Sequence, residues 1–246
     1  MKYKNLINNH LLFIILLPIL VLLSLVVYKD YGISIDEEST RMHGLVSLNY
    51  ICNLFFPNTV FEFQSNNIIP ELSSYPYKQY GVFFELILII VIEILFDLKN
   101  FGEIFYARHF LTNFLFISSL IFFYFTVLEI FKNRYFPILA VLILYTSPRI
   151  FAESFYNNKD IVFMSFFICA TYFAIKFLNK FSYKNALFFA LALTIAVNIR
   201  VIGIYLLLIF LIFSFLEILT KKKEEKYYKV FIFFLFALLI FLFSFW

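Results

Sequence analysis

Charge, glycine and cysteine are all scarce in this sequence. Only 15% of its 246 residues are charged, and it contains 5 Gly and 2 Cys. Cys52 lies in a polar stretch and Cys169 inside an apolar run, so we expect no disulfide between them and they indicate no redox compartment. The net charge of +4 is small and unevenly spread, which indicates loop orientation in a membrane and excludes a nucleic-acid-binding function. No Gly/Ser-rich or Pro-rich linker and no internal repeat divides the chain, so we expect a single domain over residues 1–246.

Apolar residues are abundant instead. Hydrophobic residues make up 63% of the chain and aromatic residues 23%, whereas a soluble domain is about half apolar. Several runs approach or exceed the roughly 20 apolar residues that cross a bilayer. The sequence therefore predicts an all-α, polytopic transmembrane helix bundle. Because the last run is apolar up to Trp246, we expect the chain to be the N-terminal part of a longer protein.

Charge placement predicts how these runs cross the membrane. The run over 80–96 is ambiguous because it carries Glu85 and Glu93. If it does not cross, the basic clusters fall on the cytoplasmic side; if it crosses, they all fall outside, against the positive-inside rule. We therefore favour an interfacial or re-entrant helix there, which leaves about seven spans and a cytoplasmic N-terminus in the inner or plasma membrane. The predicted spans are Leu11–Tyr28, Ile104–Ile130, Phe136–Ser147, Ile161–Leu178, Ala186–Asn198, Val201–Leu219 and Val230–Trp246. The basic clusters are Lys132/Arg134, Lys176/Lys180/Lys184 and Lys221–Lys223.

The segment 29–79 after the first span is the predicted outer loop, with interfacial helices along the membrane surface. It contains Asp36-Glu37-Glu38, carboxylates that would be costly in hydrocarbon. In a helix that starts near Ser34, Asp36 shares one face with Thr40 and His43. Asp36 is then a candidate general base or metal ligand, with Glu37 in support. The alternative is purely structural, because Ser34 and Glu37 also form a capping box.

Two more polar clusters fall on the same outer face. The predicted loop Ser147–Asp160 carries Arg149, Lys159 and Asp160, and Arg200 follows a later span. Cations beside a carboxylate suit a phosphate-bearing ligand. The alternatives are that Asp160 caps the next helix and that Arg200 extends to lipid headgroups. Neither His43 nor His109 has the spacing of a zinc ligand.

The order of these motifs resembles a known family. Asp36-Glu37 follows an anchor span, Tyr106-Ala107-Arg108 opens a later span, and Ser147-Pro148-Arg149, Lys159-Asp160 and Arg200 come after it. This pattern resembles GT-C-type integral membrane glycosyltransferases, and within them the protein-mannosyltransferase and aminoarabinose-transferase-like group (glycosyltransferase family 39-like). The Pro-Pro-Leu often found after the first acidic loop is absent, and Tyr75-Pro76-Tyr77 occupies its place.

The resemblance implies an inverting transfer of a sugar from a polyprenyl-phosphate carrier to a lipid, glycan or protein acceptor at the outer leaflet. It places the catalytic aspartate at Asp36, with Glu37 and Asp160 as supporting acids. Arg149, Lys159, Arg200 and Arg108 are the expected phosphate or substrate contacts. Some members of the family use a divalent cation and others do not, so a cation held by Asp36 and Asp160 stays open.

Two other functions remain as alternatives. A secondary transporter would place ionisable residues at mid-membrane on helices related by a repeat, whereas the charges here cluster at one face. A non-catalytic membrane partner or an inactive fragment is the other alternative.

Overall fold

The computed structural model describes residues 2–56, 69–133, 135–220 and 225–245, and all regular structure within these ranges is helical. The all-α prediction is confirmed. The helices are α1 Lys2–Val27, α2 Ile35–Phe55, α3 Phe83–Ile89, α4 Phe101–Phe131, α5 Tyr135–Thr146, α6 Pro148–Tyr156, α7 Asp160–Asn179, α8 Tyr183–Ile199, α9 Ile204–Thr220 and α10 Glu225–Phe245. A π-helix, Ile90–Leu95, continues α3, and a 3₁₀ turn, Val201–Gly203, precedes α9. The predicted basic residues Arg134 and Lys221–Lys223 lie outside the described residues.

The chain is a multi-pass membrane protein by the length and hydropathy of its helices. Among the described residues, four helical segments are long and apolar enough to cross a bilayer, or five if the bent pair α5 and α6 is one broken span. The four are His10–Val27, Phe101–Phe131, Asp160–Asn179 and Tyr227–Ser244. Helix α8 has 17 residues, which cover about 25 Å at 1.5 Å per residue and fall short of the roughly 30 Å hydrocarbon core. The count of seven spans therefore stays a prediction.

The predicted loop after the third span is mostly helical, so that prediction was wrong in conformation. Helix α5 ends at Thr146, and α6 begins at Pro148 with a bend of 66° between the two. Proline has no backbone N–H to donate and is favoured in the first turn of a helix, and Ser147 occupies the N-cap position. The result is a short helix that turns the chain before α7.

The ambiguous segment 80–96 forms a short, irregular helix. The 7 residues of α3 are followed by 6 residues of π-helix, which together are fewer than the roughly 20 that cross a bilayer. This length agrees with the interpretation that the segment does not cross. The segment packs against α2 at Gly44, where a Cβ atom would lie 2.5 Å from Ile89 Cδ1. Glycine is therefore what allows α2 and α3 to approach closely.

Four clusters of buried apolar residues hold the described helices together, and polar residues collect at one end of the bundle. Phenylalanines from α7, α8, α9 and α10 form one core, in which Phe189 and Phe234 stack with ring centroids 5.0 Å apart. Small residues such as Ala186 and Ala190 line the same contact and let the backbones approach. Helix α4 packs against α1, α5, α6 and α7. The N-terminal end of α4 meets α2 and α3, and the polar residues collect there.

Candidate active site

A cavity of about 570 Å³ opens where five segments of the chain converge. Helix α2 supplies Asp36 and His43, the segment 77–81 supplies Tyr77 and Tyr80, and α3 supplies Glu85. The turn before α7 and the turn after α8 complete the lining with Lys159 and Arg200, among others. This volume lies in the range of about 300–1,000 Å³ that is typical of small-molecule sites. The cavity is therefore large enough for a small-molecule ligand.

A smaller cavity of about 140 Å³ adjoins the first and shares Asp36, Asn158, Lys159 and Arg200 with it. Asp160 lines this smaller cavity as well. The structure thus brings together Asp36 and Asp160, which the sequence separates by more than a hundred positions. Both acids and two of the predicted cationic residues face one connected space.

Asp36 is an exposed carboxylate in this space. It lies in the first turn of α2, one and two turns before Thr40 and His43, and all three side chains line the larger cavity as their spacing predicts. Within the described ranges the Asp36 carboxylate has no hydrogen-bond or ion-pair partner. An unpaired carboxylate at a cavity wall is available to accept a proton.

Glu37 faces the other way and is buried. Its Oε2 accepts a hydrogen bond from Ser34 N at 2.7 Å, which completes the capping box of α2. Its Oε1 lies 3.0 Å from His109 Nε2 on α4, with both side chains at most 2% exposed. The predicted supporting role of Glu37 in catalysis stays a prediction, and its geometry is that of a residue that fixes α2 against α4.

The predicted cations are distributed unequally. Arg200 forms an ion pair with Asp160, and both side chains are about half exposed. Lys159 Nζ lies 5.4 Å from the centroid of the Tyr80 ring. Arg149 does not line either cavity; its side chain is 87% exposed and its Nε donates to Glu153 Oε1 at 2.8 Å. Lys159 and Arg200 are therefore the cations at the site.

Arg108 lies behind the cavity wall. It is 1% exposed and donates from Nη2 to Glu85 Oε2 at 2.7 Å. The other oxygen of Glu85 accepts from Asn158 Nδ2 at 2.5 Å, and Asn158 Nδ2 also lies 2.9 Å from Thr40 Oγ1. This chain joins α4, α3, the turn before α7 and α2. Arg108 thus contacts the site through Glu85 and does not reach the cavity itself.

Several lining residues carried no functional assignment in the sequence, among them Glu85, Asn158, Tyr77 and Tyr80. The sequence did single out Glu85 in one way. A carboxylate in an apolar run costs free energy to bury, so such a residue is usually functional or paired with a cation. The sequence did not mark the two tyrosines as site residues, since most aromatic residues of a membrane protein pack in the bundle or lie at the interface. Asn158 became recognisable only through its contacts with α2 and α3.

His43 differs electrostatically from a surface histidine. Burial lowers the pKa of its imidazole, the hydrogen bond to the Tyr77 carbonyl partly offsets this, and the nearby Lys159 ammonium lowers the pKa further. The Tyr77 oxygen lies 2.5 Å from His43 Nε2, and because a carbonyl can only accept, Nε2 carries the proton. His43 is therefore favoured as a neutral ring that holds the segment 77–81 in place.

The acids at the site were also candidates for a metal ion. Within the described ranges no group of three or more His, Cys, Asp or Glu residues is arranged to hold one. Asp36 and Asp160 do line the same small cavity, but Asp160 is already paired with Arg200. The pair therefore stays a prediction as a cation site.

Comparison with known proteins identifies the family. A family model described as dolichyl-phosphate-mannose-protein mannosyltransferase matches residues 86–246, well over half of the chain. The chain belongs to this family. The resemblance inferred from the motifs is thereby confirmed, and the chain is a multi-pass membrane glycosyltransferase. No curated protein and no solved structure matches it.

The matched region covers part of the site described above. It contains Arg108, Lys159, Asp160 and Arg200, but Asp36 on α2 lies N-terminal to it. The geometry rather than the family match therefore connects Asp36 with the other residues of the cavity.

Proposed function

We propose that this glycosyltransferase transfers a sugar from a polyprenyl-phosphate carrier to a hydroxyl acceptor in the connected cavities, with Asp36 as the general base. The observation that supports the proposal most directly is that a negative and two positive side chains line the same space. The unpartnered carboxylate of Asp36 and the cations Lys159 and Arg200 line the same space. A sugar transfer from a phosphate needs these two functions, a proton acceptor near the incoming hydroxyl and positive charge near the departing phosphate.

The proposed reaction is a single displacement. The acceptor oxygen attacks the anomeric carbon while Asp36 takes the proton of the acceptor hydroxyl. The bond between the anomeric carbon and the phosphate oxygen breaks, and the phosphate leaves with the electron pair and stays on its lipid. Because attack and departure occur on opposite faces of the sugar, the configuration at the anomeric carbon inverts.

Lys159 and Arg200 stabilise the charge that develops on the departing phosphate. Arg200 is fixed by its ion pair with Asp160, and Asp160 is in turn held by Asn157, whose Nδ2 donates to Asp160 Oδ2 at 3.1 Å. Asp160 is therefore a positioning residue for Arg200 in this proposal. Pre-oriented charges of this kind cost no reorganisation when the reaction occurs.

We place the reaction at the outer leaflet of the inner or plasma membrane, with the N-terminus in the cytoplasm. The support is the distribution of charge, because Lys176, Lys180 and Lys184 lie at the end of the bundle opposite Asp36, and cationic loops favour the cytoplasmic side. The acceptor is a lipid, a glycan or a protein that presents a hydroxyl. The donor that fits the family description is a polyprenyl-phosphate mannose.

The substitution Asp36→Asn tests the proposal, because it removes the base and keeps the shape of the side chain. We expect it to reduce transfer from polyprenyl-phosphate mannose by at least about 10²-fold in isolated membranes, the scale of a lost general base. Asp30→Asn is the matched control, because Asp30 is an exposed carboxylate shortly before α2 that lines neither cavity. Unchanged transfer by Asp36→Asn at equal expression would rule out the assignment.

A further inference from the structure

Four aromatic rings form a cluster at one wall of the larger cavity. His43 meets Tyr75 at 5.1 Å and Tyr77 at 5.9 Å between ring centroids, both edge-on. Tyr80 lies 5.9 Å from His43 and 6.5 Å from Tyr77. Tyr75 is buried behind the others at 7% exposure. Edge-on and tilted contacts at these distances are the favoured arrangements of aromatic rings, so the cluster is held by its own packing.

Two of these rings remain open toward the cavity. Tyr77 is 52% exposed and Tyr80 is 53% exposed, and both line the cavity beside the polar groups of Gln79 and Asn198. Tyrosines of membrane proteins also collect at the lipid interface, where their rings face headgroups. These two differ because they share a concave wall with the charged residues of the site. Open aromatic faces beside amide groups are the surface that suits a sugar, whose ring has an apolar C–H face and polar edges.

The wall is fixed to the rest of the site at both ends. At one end, the imidazole of His43 donates to the carbonyl oxygen of Tyr77. At the other end, Gly81 lies against Asn198 so closely that a Cβ atom at position 81 would overlap the Asn198 main-chain oxygen and side chain. Because α2 and α8 both hold this segment, the tyrosine rings keep a defined position relative to Asp36 and Arg200.

The position of Lys159 relates the wall to the proposed donor phosphate. Its Nζ lies 5.4 Å from the centroid of the Tyr80 ring, within the range of a cation–π contact. A phosphate held by Lys159 therefore lies next to Tyr80. The sugar is attached to that phosphate through a single oxygen, which brings it within reach of the aromatic wall.

We propose that Tyr77 and Tyr80, held by His43, form the subsite that recognises the donor sugar, with a pyranose ring stacked on the open tyrosine faces. This inference rests on the proposed function, because it takes the phosphate contact of Lys159 from it. Tyr80 supplies the main face, Tyr77 the adjoining one, and Gln79 and Asn198 the polar edge groups. His43 is a positioning residue that acts through the Tyr77 backbone.

A binding experiment isolates the contribution of the sugar. In nanodiscs that contain no acceptor, the purified protein cannot transfer the sugar, so the dissociation constants of polyprenyl phosphate and of the same carrier bearing mannose, glucose or galactose can be measured separately. Their ratio is the sugar increment. We expect at least one sugar to bind about tenfold more tightly than the bare carrier, the size of a stacking contact with partial desolvation. An increment absent for all three sugars overturns the proposal.

Substitutions in the aromatic wall then show which residues provide the affinity that the sugar adds. We expect Tyr80→Leu to abolish it while leaving the affinity for bare polyprenyl phosphate within about threefold, and Tyr80→Phe to retain most of it because the ring remains. Tyr50→Leu is the matched control, since Tyr50 is 51% exposed on α2 and lines neither cavity. If Tyr80→Leu misfolds, judged by its unfolding temperature, the same comparison is made with Tyr77→Leu. An increment that survives loss of the ring refutes the subsite.

The two proposals fail in different measurements. Unchanged transfer by Asp36→Asn would refute the general base and leave the binding ratio unaffected. If transfer depends on Asp36 but the affinity that the sugar adds does not depend on Tyr77 or Tyr80, only the aromatic subsite is refuted.

Discussion

A buried ion pair joins α2 to the π-helix that follows α3, and its removal should destabilise the fold. Arg41 Nε donates to Glu93 Oε1 at 2.8 Å and Arg41 Nη2 to Glu93 Oε2 at 2.6 Å. The two side chains are 3% and 4% exposed. Arg41 lies on α2 and Glu93 on the π-helix, so the ion pair fixes these two segments against each other. Neither residue lines either cavity.

The substitution Arg41→Leu leaves the Glu93 carboxylate buried without its cation. Breaking one partner of a buried pair costs about 3–5 kcal/mol, because the remaining charge is out of water and uncompensated. The double variant Arg41→Leu/Glu93→Leu removes both charges. Replacement of a whole buried pair by apolar residues is often neutral or stabilising, so we expect the double variant to recover most of the lost stability.

The assay is reversible unfolding in mixed micelles, followed by helical signal, for the single variants, the double variant and the parent. Lys99→Leu provides the control, because Lys99 Nζ also lies 2.7 Å from a carboxylate oxygen, that of Asp97, but the two side chains are 53% and 75% exposed. A pair open to water contributes less than about 1 kcal/mol. We also expect the double variant to retain sugar transfer, since the cavity lining is unchanged.

The reasoning is wrong if Arg41→Leu costs no more than Lys99→Leu. It is also wrong if the double variant is as unstable as Arg41→Leu alone. The loss of stability would then come from lost packing and not from the unpaired charge of Glu93. The difference between the double variant and the sum of the single variants measures the coupling directly.

Two further predictions concern the wall of the cavity. Gly81→Ala should abolish transfer in membranes, because the added Cβ would overlap Asn198. Gly32→Ala is the control and should leave transfer intact, because no atom lies within 4 Å of its added Cβ. Equal transfer by both variants would contradict this prediction. Burial lowers the pKa of His43 in the folded protein. Below about pH 6.5 this histidine therefore binds a proton more readily in the unfolded chain than in the folded one, and the free energy of unfolding falls. The unfolding temperature should therefore drop between pH 7 and pH 5, and His43→Gln should flatten this part of the profile; an unchanged slope would show that His43 does not cause it.

The helices were largely predictable, because their signal is local. Long apolar runs and the need to satisfy every backbone group in lipid leave few alternatives to helices. The start of α2 near Ser34 followed from capping chemistry, and the shared face of Asp36, Thr40 and His43 followed from the helical period. The break between α5 and α6 had a local cause in Pro148, yet the helical state of α6 was missed because its polar residues favoured a loop.

The contacts of the buried charges were not predictable. Glu85 and Glu93 were visible as carboxylates in an apolar segment, but their partners lie on other helices, Arg108 on α4 and Arg41 on α2. No local pattern relates residues at such separations. The pairing depends on how α2, α3 and α4 pack, and that packing is decided by close approaches such as Gly44 against Ile89.

By itself the sequence determined the membrane class, the family and the neighbourhood of the acidic site. The tertiary structure decided which of two adjacent acids is available: Asp36 is exposed in the cavity, while Glu37 is 1% exposed and engaged by Ser34 and His109. Successive residues of a helix point about 100° apart, so neighbours in the chain enter different surroundings. His109 on α4 binds the side of α2 that carries Glu37, and Asp36 on the neighbouring side lines the cavity.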